Sequence, residues 1–214
     1  MIRFFRQFIL VAWLMPVSVA FSGAQLTDRQ IIILTVAPDE VFGSYLFGVD
    51  GLDKVPTKSE VKVMAPLEMN DFRGAEGIGQ NDLRLSTKGS LILQKVFNPG
   101  VQFTGFDFKV PANFGNATMT FEPVTEVSEL SLLVPENTGV KLEADNLKSM
   151  GPMSLDQGSY MRFAINDLSP GKSVILKVSG VPLGKSLYWW SGAVFAALLL
   201  LLAGIFSWRT WPRL

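Results

Sequence analysis

The chain has 214 residues, of which 48% are hydrophobic and 18% charged, and its formal net charge is zero. It contains no cysteine and no histidine, which excludes disulfide bonds, histidine-based acid–base catalysis and transition-metal sites built on either residue. Residues 25–185 carry 15 basic and 19 acidic side chains, a net charge of −4, without a basic cluster. Nucleic-acid binding therefore has no electrostatic basis.

The first residues have the pattern of a secretion signal. Arg3 and Arg6 form a basic start, residues 8–21 are apolar, and small residues up to Ala24 follow. The apolar stretch is short for a membrane span, which needs about 20 residues. We predict a signal peptide over residues 1–24. An uncleaved N-terminal anchor is the alternative.

Residues 25–185 show the pattern of short β-strands. Runs rich in Ile, Val, Leu and Phe are bounded by Gly, Pro, Asn and Asp, and no stretch keeps a helical period. Leu130, Leu132 and Val134 alternate with polar or outward positions, as expected for a strand with one buried face. In the run VQFTGFDFKV the alternation changes phase at Thr104-Gly105, where we predict a β-bulge.

This segment also contains an internal repeat. Four landmarks recur in the same order at offsets of 69 to 71 residues. They are SEVKVMAP at Ser59 and SELSLLVP at Ser128, Gly89-Ser90 and Gly158-Ser159, Pro99-Gly100 and Pro170-Gly171, and Val110-Pro111 and Val181-Pro182. We predict a tandem duplication, with unit 1 at residues 25–111 and unit 2 at residues 112–185.

Each unit has the short strands and turn spacing of an immunoglobulin-like β-sandwich. In each, the Pro-Gly pair is predicted to form the turn into the last strand. The Val-Pro pair is predicted to end that strand, because proline cannot donate to a ladder. The predicted fold class is thus all-β, with two tandem immunoglobulin-like sandwiches.

The longest irregular stretch is LEMNDFRGAEGIGQN, residues 67–81. Function on sandwiches usually resides in loops, and aromatic and arginine side chains dominate binding hot spots. We therefore predict that this loop contributes to a partner-binding surface, with Phe72 and Arg73 as anchors. A loop without a partner is the alternative.

Acidic residues are candidates for calcium ligands and for a glycosidase pair. The carboxylates near the glycine-rich turns match no calcium-loop spacing and are interpreted as solvated turn residues; they are Asp50, Asp53, Asp71, Glu76 and Asp82. Glu60 and Glu129 occupy equivalent repeat positions, so they represent one position in two units rather than two roles in one cleft. We predict no catalytic and no metal-binding residues.

Two further sets of side chains suggest ligands. Thioethers suit Cu(I), and unit 2 contains Met119, Met150, Met153 and Met161, without a Cys or His to complete a site. Exposed aromatics could bind glycans, and Phe106, Phe108, Phe114 and Phe121 are available, although their alternation favours core packing. Copper binding and glycan binding are kept as alternative functions.

The C-terminal region has the pattern of a transmembrane helix. Residues 187–208 include no charge, and tyrosine and tryptophan stand at both edges, as at the two headgroup levels of a bilayer. Arg209 and Arg213 follow, which favours the cytoplasmic side for the tail at residues 209–214. We predict one span with the N-terminus outside.

This layout resembles that of bacterial envelope proteins in which immunoglobulin-like, fibronectin-like or transthyretin-like sandwiches precede one C-terminal span. The run DLSPGKSVILKVSGVP is similar to the last hairpin of such domains. The resemblance implies an inner-membrane protein with most of its chain in the periplasm or outside, and it assigns no residue a role. We predict a non-enzymatic protein without a cofactor that binds another envelope protein. A glycan- or cell-wall-binding module and a methionine-based Cu(I) accessory protein are the alternatives.

Overall fold

The computed structural model describes residues 23–75, 77–79, 81–86, 89–156, 158–184 and 194–199. These residues form mainly β-strands, with a short helical segment at 194–199. The strands are β1 (Ala24–Ala37), β2 (Glu40–Gly51), β3 (Thr57–Met64), β4 (Asp71–Ala75), β5 (Leu83–Leu85), β6 (Ser90–Phe97), β7 (Gly100–Pro111), β8 (Asn116–Phe121), β9 (Val127–Pro135), β10 (Lys141–Glu143), β11 (Lys148–Leu155), β12 (Gly158–Leu168) and β13 (Val174–Ser179). The prediction of an all-β fold is confirmed.

The strands form a sandwich-like arrangement of one large and two small sheets. The seven-stranded sheet has the order β11-β12-β9-β1-β2-β7-β4, and the three-stranded sheets have the orders β3-β6-β5 and β10-β13-β8. The pairing of β1 with β9 is parallel, whereas β1 pairs with β2 in antiparallel fashion. β1 therefore joins strands from the first and second halves of the chain into one sheet.

The two halves of the chain have the same strand connectivity. In the first half β7 lies between β2 and β4, and β6 lies between β3 and β5. In the second half β13 lies between β8 and β10, and β12 lies between β9 and β11. The halves differ in which of these two sets joins the large sheet. In the first half, β2, β7 and β4 join the large sheet. In the second half, β9, β12 and β11 join it.

One cluster of buried apolar side chains draws residues from all three sheets, including Phe106, Leu93 and Met119. Its aromatic centre lies on β2 and β7, where the rings of Tyr45 and Phe106 meet edge to face with centroids 5.2 Å apart. The Tyr45 hydroxyl donates a hydrogen bond to Oε1 of Gln30, and both side chains are buried. Burial raises the pKa of Tyr45 well above its usual value, so the phenol stays protonated.

Side chains and loops add further contacts between the halves. Glu68, in the loop before β4, accepts hydrogen bonds from the backbone N and the Oγ1 of Thr120 on β8, both at 2.7 Å. The Leu67 amide donates to the Thr120 carbonyl at 3.0 Å. In the β1–β2 turn, Oδ1 of Asp39 accepts from the Gly184 amide at 2.9 Å. The C-terminal end of the second half is thus fixed to a turn of the first.

The structure corrects the predicted loop at residues 67–81. Positions 71–75 form β4, because they pair with β7 along five consecutive residues. Phe72 and Arg73 therefore lie on an edge strand rather than on a loop. β2 and β11 were also not predicted as strands, although each pairs with a neighbour over most of its length.

Two local predictions are wrong. Thr104 and Gly105 pair in regular register with β2, so no bulge is present there. The phase changes because Val101 and Phe103 face water while later apolar side chains of β7 face the core. β13 ends at Ser179, two residues before the Val181-Pro182 pair that was predicted to terminate it.

The predicted signal peptide, membrane span and cytoplasmic tail lie outside the described residues, apart from positions 23–24 and 194–199. Within the part of the chain that the structure describes, no helix is long and apolar enough to span a bilayer.

Candidate functional site

The outer face of the seven-stranded sheet, the side turned away from the core, presents the clearest candidate surface. Side chains alternate along each strand, and strand pairing sets the residues of neighbouring strands side by side. The outer-face residues in the first half of the chain are Ile31, Ile33 and Thr35 on β1, Phe42, Ser44 and Leu46 on β2, Val101, Phe103, Asp107 and Lys109 on β7, and Asp71 and Arg73 on β4.

A row of three polar side chains crosses β2, β7 and β4. Ser44 Oγ donates a hydrogen bond to Asp107 Oδ1 at 2.7 Å, and Arg73 Nε donates to Asp107 Oδ2 at 3.0 Å. The Arg73 side chain is 75% exposed, and exposed ion pairs contribute about 0–1 kcal/mol to folding. The Arg73–Asp107 ion pair therefore adds little to stability, and the guanidinium remains accessible to a ligand.

A second row lies beside the first, one pleat further along the strands. Lys109 Nζ is 3.5 Å from Asp71 Oδ2 and 5.4 Å from the ring centroid of Phe42. The two rows line a depression of about 400 Å³, together with Thr35. Its two basic and two acidic side chains balance, so the depression favours a ligand with mixed or no charge over a simple anion or cation.

An apolar strip borders this depression on the outer face. Ile31 pairs across from Leu46, and Leu46 pairs across from Gly105 on β7. Two residues from Gly105 along the same strand, Phe103 exposes 81% of its surface, and Val101 is also exposed. An apolar strip bordered by polar groups is typical of an interaction site.

In the second half of the chain the outer face carries a closed polar network. Ser131 Oγ donates to Glu129 Oε1 at 2.5 Å, and Arg162 donates to both of these side chains. The hydrogen bond from Ser131, followed by that from Arg162, lowers the pKa of Glu129. Because these groups form hydrogen bonds with one another, the network is better explained as a stabilising contact between β9 and β12 than as a ligand site.

The structure places the two predicted anchors on opposite faces of β4. Both residues border the depression, but the Arg73 side chain lies on the outer face, whereas Phe72 is partly buried against the core cluster. Phe103 was not predicted as a site residue. Its signal was the phase of the alternation in β7, which sets Val101 and Phe103 apart from the buried Phe106 and Phe108.

The methionine-based copper site and a site made of carboxylates find less support in the positions of their residues. Met150 and Met153 are exposed on β11 and Met161 lies on the neighbouring β12, whereas Met119 is buried in a different sheet, so the four methionines do not form one cluster. Among the described residues, no group of three or more Asp, Glu, His or Cys side chains could hold a metal ion. Asp82 accepts a hydrogen bond from the Gly79 amide, as a turn residue does, and Glu76 lies outside the described residues. The prediction of turn positions is wrong for Asp50 and Asp71, which lie on β2 and β4.

The four phenylalanines considered for glycan binding separate by burial. Phe106, Phe108 and Phe121 are buried in the core, and Phe114 is exposed at a turn. They therefore provide no common stacking platform.

Glu60 and Glu129 lie in different sheets, on β3 and β9. Each forms an ion pair with an arginine, Arg84 and Arg162 respectively. They do not share a cleft.

No family model matches the sequence, and a search of curated proteins finds no match. Solved structures with some likeness include a protein from Parabacteroides distasonis assigned as a protease, with a TM-score of 0.38 and 10% identity over 74% of this chain and 40% of that one. An M1 zinc metallopeptidase from Deinococcus radiodurans has a TM-score of 0.38 and 11% identity over 73% of this chain and 42% of its own. The chain thus spans about two fifths of their length, and likeness of this degree assigns it no activity.

Proposed function

We propose that the chain is an exported, non-enzymatic protein-binding module, held at the inner membrane by one helix at residues 187–208. In this proposal the two halves are duplicated immunoglobulin-like sandwiches that share the seven-stranded sheet. The matching strand connectivity of the halves supports the duplication. The apolar stretch with aromatic edges and following arginines supports the anchor.

The observation that carries the proposal is the exposed apolar strip beside the neutral depression on the outer face. Phe103 is 81% exposed, and burying an aromatic side chain gains roughly 1.5–3 kcal/mol. Arg73 pairs across from Asp107, four residues along β7 from Phe103, which corresponds to roughly 13 Å. Both side chains therefore fit within one standard interface of about 800 Å² per partner.

A protein fits this surface better than a polymer of sugars or a metal ion. An aromatic and an arginine side chain, set in a surface of balanced charge, are the residues that dominate protein–protein hot spots. β4 also ends the seven-stranded sheet, so a partner could approach its free edge as well as its face.

The test is co-purification of the tagged full-length chain from its own membranes in mild detergent. The variants are Arg73→Ala and Phe103→Ala. Arg84→Ala is the matched control, since Arg84 is 59% exposed and pairs with Glu60 at 2.8 Å on a small sheet. A hot-spot loss of about 2 kcal/mol would reduce partner affinity about thirtyfold. We expect loss of a stoichiometric partner from the first two variants and its retention by the control.

Two results would contradict the proposal. Equal retention of the partner by all variants would exclude the outer face as the binding surface. Absence of any stoichiometric partner, combined with retention of the chain on peptidoglycan, would favour the cell-wall alternative.

A further inference from the structure

The segment after β13 is fixed at one end of the sandwich. The Val181 amide donates to the Gly115 carbonyl at 3.0 Å, and the Pro182 carbonyl accepts from the Asp39 amide at 2.9 Å. The Gly184 amide in turn donates to the Asp39 carboxylate. Residues up to Gly184 are therefore held against the β1–β2 and β7–β8 turns.

Little chain separates this end from the apolar stretch at residues 187–208. Lys185 and Ser186 lie between Gly184 and Leu187. Three residues span at most about 10–11 Å when fully extended. If the apolar stretch crosses the bilayer, the end of the sandwich that carries the two turns must lie within this distance of the membrane surface.

The β7–β8 turn presents a large aromatic side chain at this end. Asn113 and Asn116 pair through hydrogen bonds in both directions, and Phe114 and Gly115 form the two-residue loop between them. Their φ angles are 50° and 78°, the left-handed pair that favours Asn-Gly. A phenylalanine there is strained by about 1–2 kcal/mol relative to glycine.

The core does not explain this phenylalanine, because Phe114 is 78% exposed. Leu183, also exposed, lies beside the same turn, since its Cδ2 is 3.7 Å from where a Cβ on Gly115 would be. An exposed aromatic and an exposed leucine thus sit together where the chain leaves the sandwich. This combination is typical of a surface that enters the interfacial region of a bilayer.

We propose that this end of the sandwich rests on the membrane, with Phe114 and Leu183 inserted among the lipid headgroups. The inference rests on the proposed anchor at residues 187–208. The contact is apolar, because the exported segment has a net charge of −4 and no basic cluster to attract anionic lipids. This contact directs the strands away from the bilayer, so the outer face lies roughly perpendicular to the membrane surface. A partner therefore reaches the outer face from the side.

The absence of cysteine allows a direct test on the full chain with single-cysteine variants. Phe114→Cys, Leu183→Cys and Phe103→Cys each receive an environment-sensitive fluorophore, and the proteins are reconstituted into phosphatidylcholine vesicles that contain a nitroxide-labelled lipid. Phe103 is a matched control because it is as exposed as Phe114 but lies eight residues up β7 from Pro111, roughly 26 Å from that end. A fourth probe, at Ser186→Cys, reports the anchor.

We expect fluorescence loss at positions 114, 183 and 186 and none at 103. Quenching at 186 without quenching at 114 or 183 would overturn the inference while leaving the anchor intact. No quenching at 186 would overturn the anchor and the inference together. Equal quenching at 103 and 114 would also overturn it, because the sandwich would then lie flat on the bilayer.

Discussion

The Tyr45→Phe substitution removes one hydroxyl from the middle of the core and leaves the ring in place. In the wild-type chain that hydroxyl donates to Oε1 of Gln30, a side chain that is only 2% exposed. Without the donor, the amide oxygen loses this hydrogen bond where little water reaches it, which costs about 1–3 kcal/mol. We therefore expect the free energy of unfolding at pH 7 to fall by about that amount.

The size of this effect should depend on pH. Burial raises the pKa of Tyr45 well above its usual value near 10, so the folded state holds the proton more tightly than the unfolded state. Above about pH 10 the unfolded state loses the proton first, and wild-type stability decreases by about 1.4 kcal/mol per pH unit until the folded pKa is reached. Phenylalanine does not titrate, so the difference between the two proteins should shrink as the pH rises.

Urea unfolding followed by circular dichroism, for the full chain in detergent at pH 7, 10 and 11 (roughly one unit past the usual tyrosine pKa), measures both effects. Tyr160→Phe is the control, because Tyr160 lies outside the core cluster. A stability difference that stays constant with pH, or a variant as stable as the wild type at pH 7, would refute the argument.

Two further substitutions test other contacts by the same unfolding assay. Gly43→Ala should destabilise by about 1–3 kcal/mol, because its Cβ would lie 2.1 Å from Cζ of Phe108, and adding Phe108→Leu should recover part of the loss. Glu129→Gln should reduce the loss of stability in acid. Hydrogen bonds from Ser131 and then Arg162 lower the pKa of Glu129, so its contribution is present above its usual value of 4.5 and is lost as the pH falls through the folded pKa.

Two outcomes would contradict these predictions. A Gly43→Ala chain of unchanged stability would mean that the Phe108 ring can move aside without loss. A Glu129→Gln chain with the same acid sensitivity as the wild type would show that other carboxylates dominate unfolding below pH 4.5.

Strands with one buried face could be predicted from sequence, and strands that depend on neighbours could not. In β13, Leu176 and Val178 alternate with exposed or half-buried residues because one face meets the core. In β9, Leu130 and Leu132 face the core cluster as predicted, although Ser131 and Leu133 on the other face are buried as well. β2 is an exception, because its burial alternates from Val41 to Phe47 and yet it was not predicted. The reason for its Gly43 is visible only in the structure, where Phe108 occupies the side-chain space. β11 shows no alternation because nearly all of it is exposed at a sheet edge.

The sharing of one sheet by both halves could not be predicted either. It depends on β1 pairing with β9, whose residues lie about a hundred positions away along the chain. No local sequence pattern indicates which distant strand β1 pairs with. The candidate surface could not be predicted from the sequence for the same reason, because its residues come from four strands. Arg73 was predicted for its residue type. The phase of the alternation in β7 set Phe103 apart from the buried phenylalanines, but only the register of β7 with β2, which places it opposite Gly48, shows its position beside the depression.

The position of β1 has a consequence for how the protein assembles. β1 is made first, yet its parallel register pairs Arg29 with Glu129, so its second neighbour is synthesised about a hundred residues later. At about 5–20 residues per second, that neighbour arrives roughly 5–20 seconds afterwards. Until then an apolar strand has one open edge, which invites pairing with another nascent chain, and the charges at Asp28 and Arg29 oppose such pairing only at its start. The strand at the middle of the finished sheet is therefore the one most exposed to misassembly during synthesis.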